Sequence, residues 1–428
     1  MVEVWLPYGK TEISVDPAPD LLLAVLEPRR HLTVHKEKEI ENALRNPLGT
    51  VPLAEKVRKS DKVVVAVDNQ TGRSTAELLV KSLIQELTSA GVQESDITVL
   101  LACGTRREPT QDDVSRLLGR ELAGLKHVCH NPQKSPLTSL GRSSLDSEIL
   151  VNKLFAEADF KIVTGDVEFH HAAGYRGGCG TVLPGLAGAD TVVRNRSRFL
   201  DPRARPGILS DNPVHKEREE AANMVGVDFA FNVVLDSRGE VAAAFAGDIH
   251  QVLQEAGKVV EEIYRVPIER KCEIVVASAG GYPRDVSLYE SLGALRNAME
   301  GLEDGGVAVL VAECAEGEGN TAFRHWMEKY RSRDEIEADL REKFDPGGYG
   351  AYLVLFALER AKVALVSTMP KTMVSEIFKM RGFDTASDAL SYAVRVKGRE
   401  SKVLAIPNAS STLVEPGWNG PAEAPLKT

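Results

Sequence analysis

The chain has 428 residues, of which 27% are charged, and its formal net charge is −10 at pH 7. This length suits two α/β domains, and the acidic balance argues against a nucleic-acid partner. The sequence has neither a signal peptide's apolar run nor the roughly 18 apolar residues of a membrane span. Its five cysteines never follow a C-x-x-C pattern, which indicates reduced thiols in a soluble cytoplasmic protein.

A short β-branched apolar run, a turn rich in glycine or hydroxyl residues, and a helical stretch recur along the chain. The apolar runs occupy residues 62–68, 96–102, 160–167, 272–279, 307–313, 361–368 and 402–407. Such runs between helices are typical of parallel strands that are covered on both faces. We therefore predict an α/β protein with mainly parallel sheets.

Two domains are expected, residues 1–271 and 272–428, with an interdomain cleft between them. Residues 237–271 read as a strand hairpin followed by one long helix, and a new strand–turn–helix series begins at Cys272. Ligands bind beyond the carboxyl ends of parallel strands, so the turns at those ends are the first places to search for a site.

The richest of these turns follows the run at 160–167 and contains six glycines between Gly174 and Gly188. Glycines let backbone N–H groups approach a phosphate or carboxylate closely. The adjacent His170 and His171 have the chemistry of a base or a metal ligand. The alternative is a tightly packed loop in which both histidines are structural.

Two other turns carry polar side chains suited to anions. Arg106 and Arg107 follow the run at 96–102, where paired guanidinium groups favour a carboxylate or phosphate. Asn69, Thr71 and Arg73 follow the first run in the same way. Solvated arginines and a helix N-cap are the alternatives at these two places.

In the second half, the turn 280–285 and Tyr289 would form a wall of the site, unless the turn is a simple strand-to-helix connection. His127 and His130 flank Cys129 at a spacing that suits a metal, but a surface strand is the better interpretation. No P-loop, H-E-x-x-H or G-x-S-x-G motif is present, which leaves ATPase, metalloprotease and esterase activities without support.

Together these segments resemble the nickel-dependent lactate racemase family over residues 10–410. The matching segments are 68–73, 104–107, 170–185, 245–250 and 280–290. The resemblance implies a nickel-pincer nucleotide that takes a hydride from the α-carbon of a 2-hydroxy acid and returns it to either face. It also implies two histidines that exchange the hydroxyl proton, and His170 matches one of them.

From this resemblance we expect a catalytic role for His170 and assign two further groups of residues. The expected cofactor-binding residues are Asn69, Thr71, Thr105, Gly177, Gly178, Gly180 and Pro184. The expected substrate- or anion-binding residues are Arg73, Arg106, Arg107 and Tyr289, and Arg176 would make the site still more cationic.

The sequence departs from the family pattern at several functional positions. Arg106 replaces the second histidine, Gly180 replaces the lysine that holds the cofactor covalently, and Asn195 or Arg196 stands where a histidine binds nickel. Gly72, Glu290 and Gly293 replace an arginine, a glutamine and a lysine. Any pincer cofactor is therefore expected to bind without a covalent bond, and no metal ligand can be assigned.

The sequence thus predicts a divergent enzyme that racemises or epimerises a 2-hydroxy acid or sugar acid by hydride transfer. Two alternatives remain: a non-catalytic protein that binds an organic acid or nucleotide, and a nickel-independent lyase or isomerase. The expected partner is the small-molecule acid, and the oligomeric state stays open.

Overall fold

The computed structural model describes residues 3–29, 36–69, 71, 73–105, 109–119, 122 and 124–417, without the side chains of Arg73, Ser74 and Arg116. None of the helices in these ranges is long and apolar enough to cross a membrane.

The strands are β1 (Val4–Tyr8), β2 (Thr11–Val15), β3 (Leu22–Val25), β4 (Val63–Asp68), β5 (Ile97–Ala102), β6 (His127–Cys129), β7 (Leu137–Arg142), β8 (Glu148–Asn152), β9 (Phe160–Asp166), β10 (Phe169–His170), β11 (Gly174–Tyr175), β12 (Phe229–Leu235), β13 (Val241–Gly247), β14 (Arg265–Ile268), β15 (Cys272–Ser278), β16 (Leu302–Val311), β17 (Ala361–Val366), β18 (Arg381–Phe383), β19 (Val403–Ile406) and β20 (Leu413–Pro416).

The helices are α1 (Lys36–Arg45), α2 (Leu53–Lys56), α3 (Arg73–Ser89), α4 (Gln111–Leu118), α5 (Lys153–Ala156), α6 (Cys179–Val182), α7 (Ala189–Arg196), α8 (Pro213–Val225), α9 (Ile249–Tyr264), α10 (Leu288–Gly301), α11 (Thr321–Lys329), α12 (Arg333–Glu342), α13 (Pro346–Arg360), α14 (Lys371–Glu376) and α15 (Ala386–Lys397). Short 3₁₀ turns occupy Glu94–Asp96 and Ser197–Leu200.

The described residues between 36 and 262 form one compact unit, called here the central unit. Its six-stranded sheet has the order β13-β12-β9-β4-β5-β6, and every neighbouring pair is parallel except β12 and β13. Along β4, Val63, Val65 and Val67 enter one apolar cluster, whereas Val64 and Ala66 enter another. Both faces of the sheet are therefore covered, as uninterrupted apolar strands require.

The second compact unit, called here the terminal unit, combines residues 3–29 with residues 263–417. Its sheet has the order β18-β17-β16-β15-β19-β3 and is parallel throughout. The predicted α/β class with mainly parallel sheets is confirmed.

The division of the chain differs from the predicted boundary after Lys271. Strand β3 pairs with β19 at the sheet edge, and Val4, Leu6 and Val15 of the first hairpin pack with Ile274. These non-local contacts place residues 3–29 with the C-terminal half. The segment 237–271 contains the predicted long helix as α9, which ends at Tyr264, but only one strand of the predicted hairpin, β13. The partner of β13 is β12, which ends at Leu235, before this segment.

Candidate functional site

The carboxyl ends of β4, β5 and β9 lie side by side in the central unit, and their turns contact one another. The backbone N–H of Asp166 donates to Thr71 Oγ1 over 3.2 Å. The N–H of Gly104 donates to the carbonyl of Gly185 over 2.9 Å. The structure therefore brings the turn of Thr71, the turn of Thr105 and the glycine-rich segment to one edge of the sheet.

Two glycines of this segment are required by the backbone itself. Gly177 has φ +85°, and a Cβ there would lie 2.6 Å from the carbonyl oxygen of Asp166. Gly178 has φ +51° and precedes α6. Gly180 is different, because the nearest atom to its Cβ position is Arg218 Nη1 at 3.6 Å, an ordinary contact distance.

The amides of the segment are not all available to a ligand. The N–H of Gly180 donates to the Gly177 carbonyl over 2.9 Å, and the N–H of Thr181 donates to the Gly178 carbonyl over 3.0 Å. Helix α6 has only four residues. The segment thus shapes the site chiefly by its path, and polar side chains must supply most of the binding.

His170 lies in β10, which pairs with β11 in a small hairpin of two-residue strands, opposite Gly174. Two backbone hydrogen bonds fix the orientation of its ring. Its Nδ1 accepts the backbone N–H groups of Ala172 and Ala173, over 3.1 and 3.0 Å. A neutral imidazole carries a single N–H, so this hydrogen-bond pattern assigns the proton to Nε2. Burial, followed by the charges of His171 and three arginines, lowers the pKa of His170 well below its usual value. His170 is therefore neutral at pH 7 and presents an N–H at Nε2.

Arg218 is the residue that faces this N–H. It lies on α8, which Asn212 caps by accepting the N–H groups of Val214 and His215. Its side chain is buried, with the whole residue 2% exposed. Arg218 Nη2 lies 3.3 Å from His170 Nε2, and its Nε has no hydrogen-bond partner. Burial and the charge of Arg196 lower the pKa of Arg218 to about 9, which leaves the guanidinium charged at neutral pH.

Sequence reasoning missed Arg218. The segment N-P-V-H-K-E-R-E-E begins with a good N-cap and a proline, and its run of charges is typical of a solvated helix face. In the structure both Glu217 and Arg218 are buried. One available signal is the spacing of His215 and Arg218, which are three residues apart and so lie on one face of the helix. This spacing is compatible with a buried face that carries polar side chains.

Two other arginines near the site have different surroundings. Arg176 forms ion pairs with Asp166 and Glu168, and its expected contribution to anion binding stays a prediction. These two carboxylates already balance it. Arg196, at the end of α7, donates from Nη1 to Thr105 Oγ1 over 3.0 Å. Thr105 thus holds a cation at the edge of the site.

The remaining predicted residues divide between those outside the description and those with structural contacts. Arg106, Arg107 and the side chain of Arg73 lie outside the described residues. Tyr289 belongs to the terminal unit, where its hydroxyl donates to the Pro346 carbonyl over 2.9 Å. Its predicted role in anion binding stays a prediction.

The surface strand predicted around Cys129 is present as β6, which lies at the edge of the sheet with Val128 exposed. His130 follows this strand and has different surroundings. The residue is fully buried, its Nε2 donates to the Ala187 carbonyl over 3.0 Å, and its Nδ1 accepts from Asn152 over 3.0 Å. Both ring nitrogens are therefore satisfied inside the central unit. Burial lowers the pKa of His130, as expected for a structural, neutral imidazole.

The site does not fit a covalently attached nickel-pincer nucleotide. Gly180 supplies no amine, and the guanidinium of Arg218 lies beside it. At the two positions expected for the nickel ligand, Asn195 donates to the Val214 carbonyl and to Glu217, and Arg196 offers only N–H donors, whereas a nickel ligand needs a lone pair. Among the described residues, no group of three or more His, Cys, Asp or Glu side chains is arranged to hold a metal ion.

Comparisons with known proteins agree on one family. The model of the lactate racemase N-terminal domain matches residues 8–207, and that of the C-terminal domain matches residues 268–414. Lactate racemase of Thermoanaerobacterium thermosaccharolyticum is 27% identical, covering 97% of this chain and 99% of its own. Lactate racemase of Lactiplantibacillus plantarum is also 27% identical, covering 97% and 100%.

Solved structures show the same relationship. The lactate racemase apoprotein of Thermoanaerobacterium thermosaccharolyticum superimposes with a TM-score of 0.88, covering 97% of this chain and 100% of its own at 27% identity. A Thermotoga maritima protein superimposes with a TM-score of 0.67 over 91% of this chain and 100% of its own. At 18% identity the second likeness concerns the fold alone.

Proposed function

Because this chain belongs to the lactate racemase family, we propose that it is an isomerase that racemises or epimerises a 2-hydroxy acid or sugar acid. The observation that carries the proposal is the placement of His170, next to a buried cation and beyond the ends of three parallel strands. A cation and an N–H donor suit a substrate that carries a carboxylate and a neighbouring oxygen.

His170 is the acid–base group of the proposed reaction. Two backbone amides occupy its Nδ1, so proton exchange with a substrate oxygen takes place at Nε2. In the neutral ring this atom already holds the proton, so His170 donates it to the oxygen of a 2-keto intermediate. It accepts the hydroxyl proton of a 2-hydroxy acid only in the tautomer whose own proton is on Nδ1. Loss of such a group typically slows an enzyme about 100- to 10,000-fold.

The family's nickel-pincer nucleotide supplies a hydride acceptor when it is bound. Gly180 and Arg196 do not provide the attachment and the nickel ligand that this group uses elsewhere in the family. In the proposal any pincer nucleotide of this chain is held without a covalent bond.

We place the protein in the cytoplasm, which its free cysteines support.

A second candidate function is binding of an organic acid without turnover. It is favoured by the fact that the two groups that meet in the site, His170 Nε2–H and Arg218, are both donors. A donor pair holds an anion well, whereas removing a hydroxyl proton needs an acceptor.

One experiment tests the proposal against this candidate. Purified protein, produced with and without the genes for pincer synthesis, is incubated in deuterated water with single enantiomers of lactate and malate and with gluconate. Chiral chromatography detects inversion, and NMR shows whether the α-hydrogen is retained, as hydride transfer requires. His170→Asn should lose the activity, whereas His325→Asn, an exposed histidine of α11, should keep it. Absence of inversion with all three substrates in both preparations would falsify the proposal.

A further inference from the structure

Two neighbouring charged residues of α8, Glu217 and Arg218, differ in whether the fold supplies partners for them. Glu217 is fully buried, and its carboxylate accepts from Ser143 Oγ over 2.8 Å and from Asn195 Nδ2 over 3.1 Å. Arg198 completes an ion pair with it over 3.2 Å. Buried carboxylates are ordinarily satisfied in this way.

Arg218 has no comparable set of partners. Among the described residues, no carboxylate forms an ion pair or hydrogen bond with it, and its polar contact is with the Nε2 atom of His170. The carboxylate of Asp68 offsets the effect of burial on the pKa of Arg218 only in part. Burial of a guanidinium without a counter-charge lowers the stability of the fold. Such a residue is therefore a candidate for a functional role.

The contact with His170 is itself unfavourable in the absence of a ligand. His170 Nε2 and Arg218 Nη2 lie 3.3 Å apart. Both atoms are hydrogen-bond donors, so neither accepts from the other. An oxygen atom placed within hydrogen-bond distance of both nitrogens would accept from both. Its negative charge would also supply the missing counter-charge.

We propose that Arg218 and His170 Nε2–H form a binding site for one oxyanion group of the ligand. The group is the carboxylate of the hydroxy acid, in which case the inference rests on the proposed function, or a phosphate group of a nucleotide or sugar. Arg218 is an anion-binding residue that touches the ligand directly.

Gly180 keeps this site accessible. Its position beside Arg218 Nη1 carries no side chain, although neither its backbone conformation nor the space for a Cβ requires glycine. Arg196 lies close enough to lower the pKa of Arg218 and of His170. A second cation at this distance strengthens the attraction for an anion.

The test is titration calorimetry of the full chain with L-lactate, D-lactate, L-malate and inorganic phosphate, in dilute Tris–chloride buffer. For whichever of these anions the wild type binds, Arg218→Met should weaken the affinity by roughly 10- to 100-fold. This is the usual range for a charged hydrogen bond. Arg218→Lys should keep most of the affinity. Arg142→Gln, which alters an exposed arginine paired with Asp146, should leave it unchanged.

Thermal unfolding gives a readout that a structural role would not produce. Without ligand, Arg218→Met should melt roughly 2–4 °C above the wild type, because an uncompensated buried charge is gone. If Arg218→Met does not fold, Gly180→Leu serves as the test instead. Its side chain fills the space beside Arg218 Nη1 and should abolish anion binding.

The outcomes separate the two anion sources and the two proposals. Binding of the hydroxy acids supports a carboxylate, and binding of phosphate alone supports a phosphate group. Arg218-dependent binding without any inversion of substrate leaves this inference standing and refutes the proposed isomerase. Binding that Arg218→Met and Gly180→Leu leave unchanged, or no binding of any of the four anions, overturns the inference.

Discussion

Two buried charges lie near the carboxyl ends of the two parallel sheets, and they are used in opposite ways. In the terminal unit Asp285 is fully buried, and its Oδ2 accepts the N–H of Gly9 over 2.6 Å and the N–H of Glu313 over 3.2 Å, while its Oδ1 has no hydrogen-bond partner among the described residues. In the central unit Arg218 is equally inaccessible, but no acceptor among the described residues pairs with it in the way that two backbone N–H groups pair with Asp285. Asp285 therefore belongs to the architecture, whereas Arg218 is left for a ligand.

The sequence alone does not show this difference between Asp285 and Arg218. Residue type alone does not reveal whether a partner from elsewhere in the chain already uses the polar group. The partners in the folded chain distinguish the two side chains, because Asp285 accepts two backbone N–H groups whereas Arg218, within the part of the chain that the structure describes, makes a polar contact only with His170 Nε2.

Removal of Asp285 should have the largest effect on stability. Asp285→Ala leaves two buried N–H groups without their charged acceptor, which should lower the free energy of unfolding by about 3–5 kcal/mol. Urea denaturation measures this change, and hydrogen exchange should show lost protection in β1 and β2. Asp304→Ala, at an exposed ion pair with Arg360, should change stability by less than about 0.5 kcal/mol. Unaltered protection of β1 and β2 would contradict the structural role of Asp285.

A pH titration reports the uncompensated charge of Arg218. Burial, and then Arg218 and His250, lower the pKa of His215 to about 4. Below pH 6.5 the unfolded chain therefore binds a proton that the folded chain rejects, so stability is lost as the pH falls from 6.5 toward 4. The loss at this site is about 3 kcal/mol, and His130 and His170 add to it with the same sign.

Arg218→Met should raise the pKa of His215, which NMR detects as a shift of the ring-proton titration curve. His215→Gln should flatten the dependence of stability on pH. A His215 titration that Arg218→Met does not move would mean that the guanidinium is balanced by a charge after all.

The smallest effect should come from Gly180→Ala. A Cβ there meets Arg218 Nη1 at 3.6 Å, and alanine favours a helical conformation, so stability should change by no more than about 1 kcal/mol. Gly177→Ala is the matched comparison, since its Cβ would lie 2.6 Å from a backbone carbonyl. Equal costs in the two variants would show that Gly180 is kept for packing and would weaken its proposed role as an opening.

The fold was predictable wherever it depends on local pattern. Strands β4, β5, β9 and β15 coincide with apolar runs to within one residue at each end, because uninterrupted burial leaves a clear signature in composition. The position of residues 3–29 was not predictable, since it depends on pairing between β3 and β19 at opposite ends of the chain.

The site was predictable in its location but not in its chemistry. Strand ends and glycines pointed to His170, Thr71 and Thr105, which lie where the turns meet. The role of Arg218 depends on which face of α8 is buried, and a helix with charges on every side does not reveal that. Likewise, the sequence did not show that Arg176 has two carboxylate partners.

The interleaved order of the two units has a consequence for biosynthesis. Strand β3 emerges early from the ribosome, yet its neighbour β19 is translated almost last. At ordinary translation speeds the wait is on the order of tens of seconds, during which the contiguous central unit has every contact it needs to fold. The apolar side chains of Val4, Leu6 and Val15 lack their final neighbours throughout that interval, so this segment stays open to non-native contacts until β15 and β19 have been made.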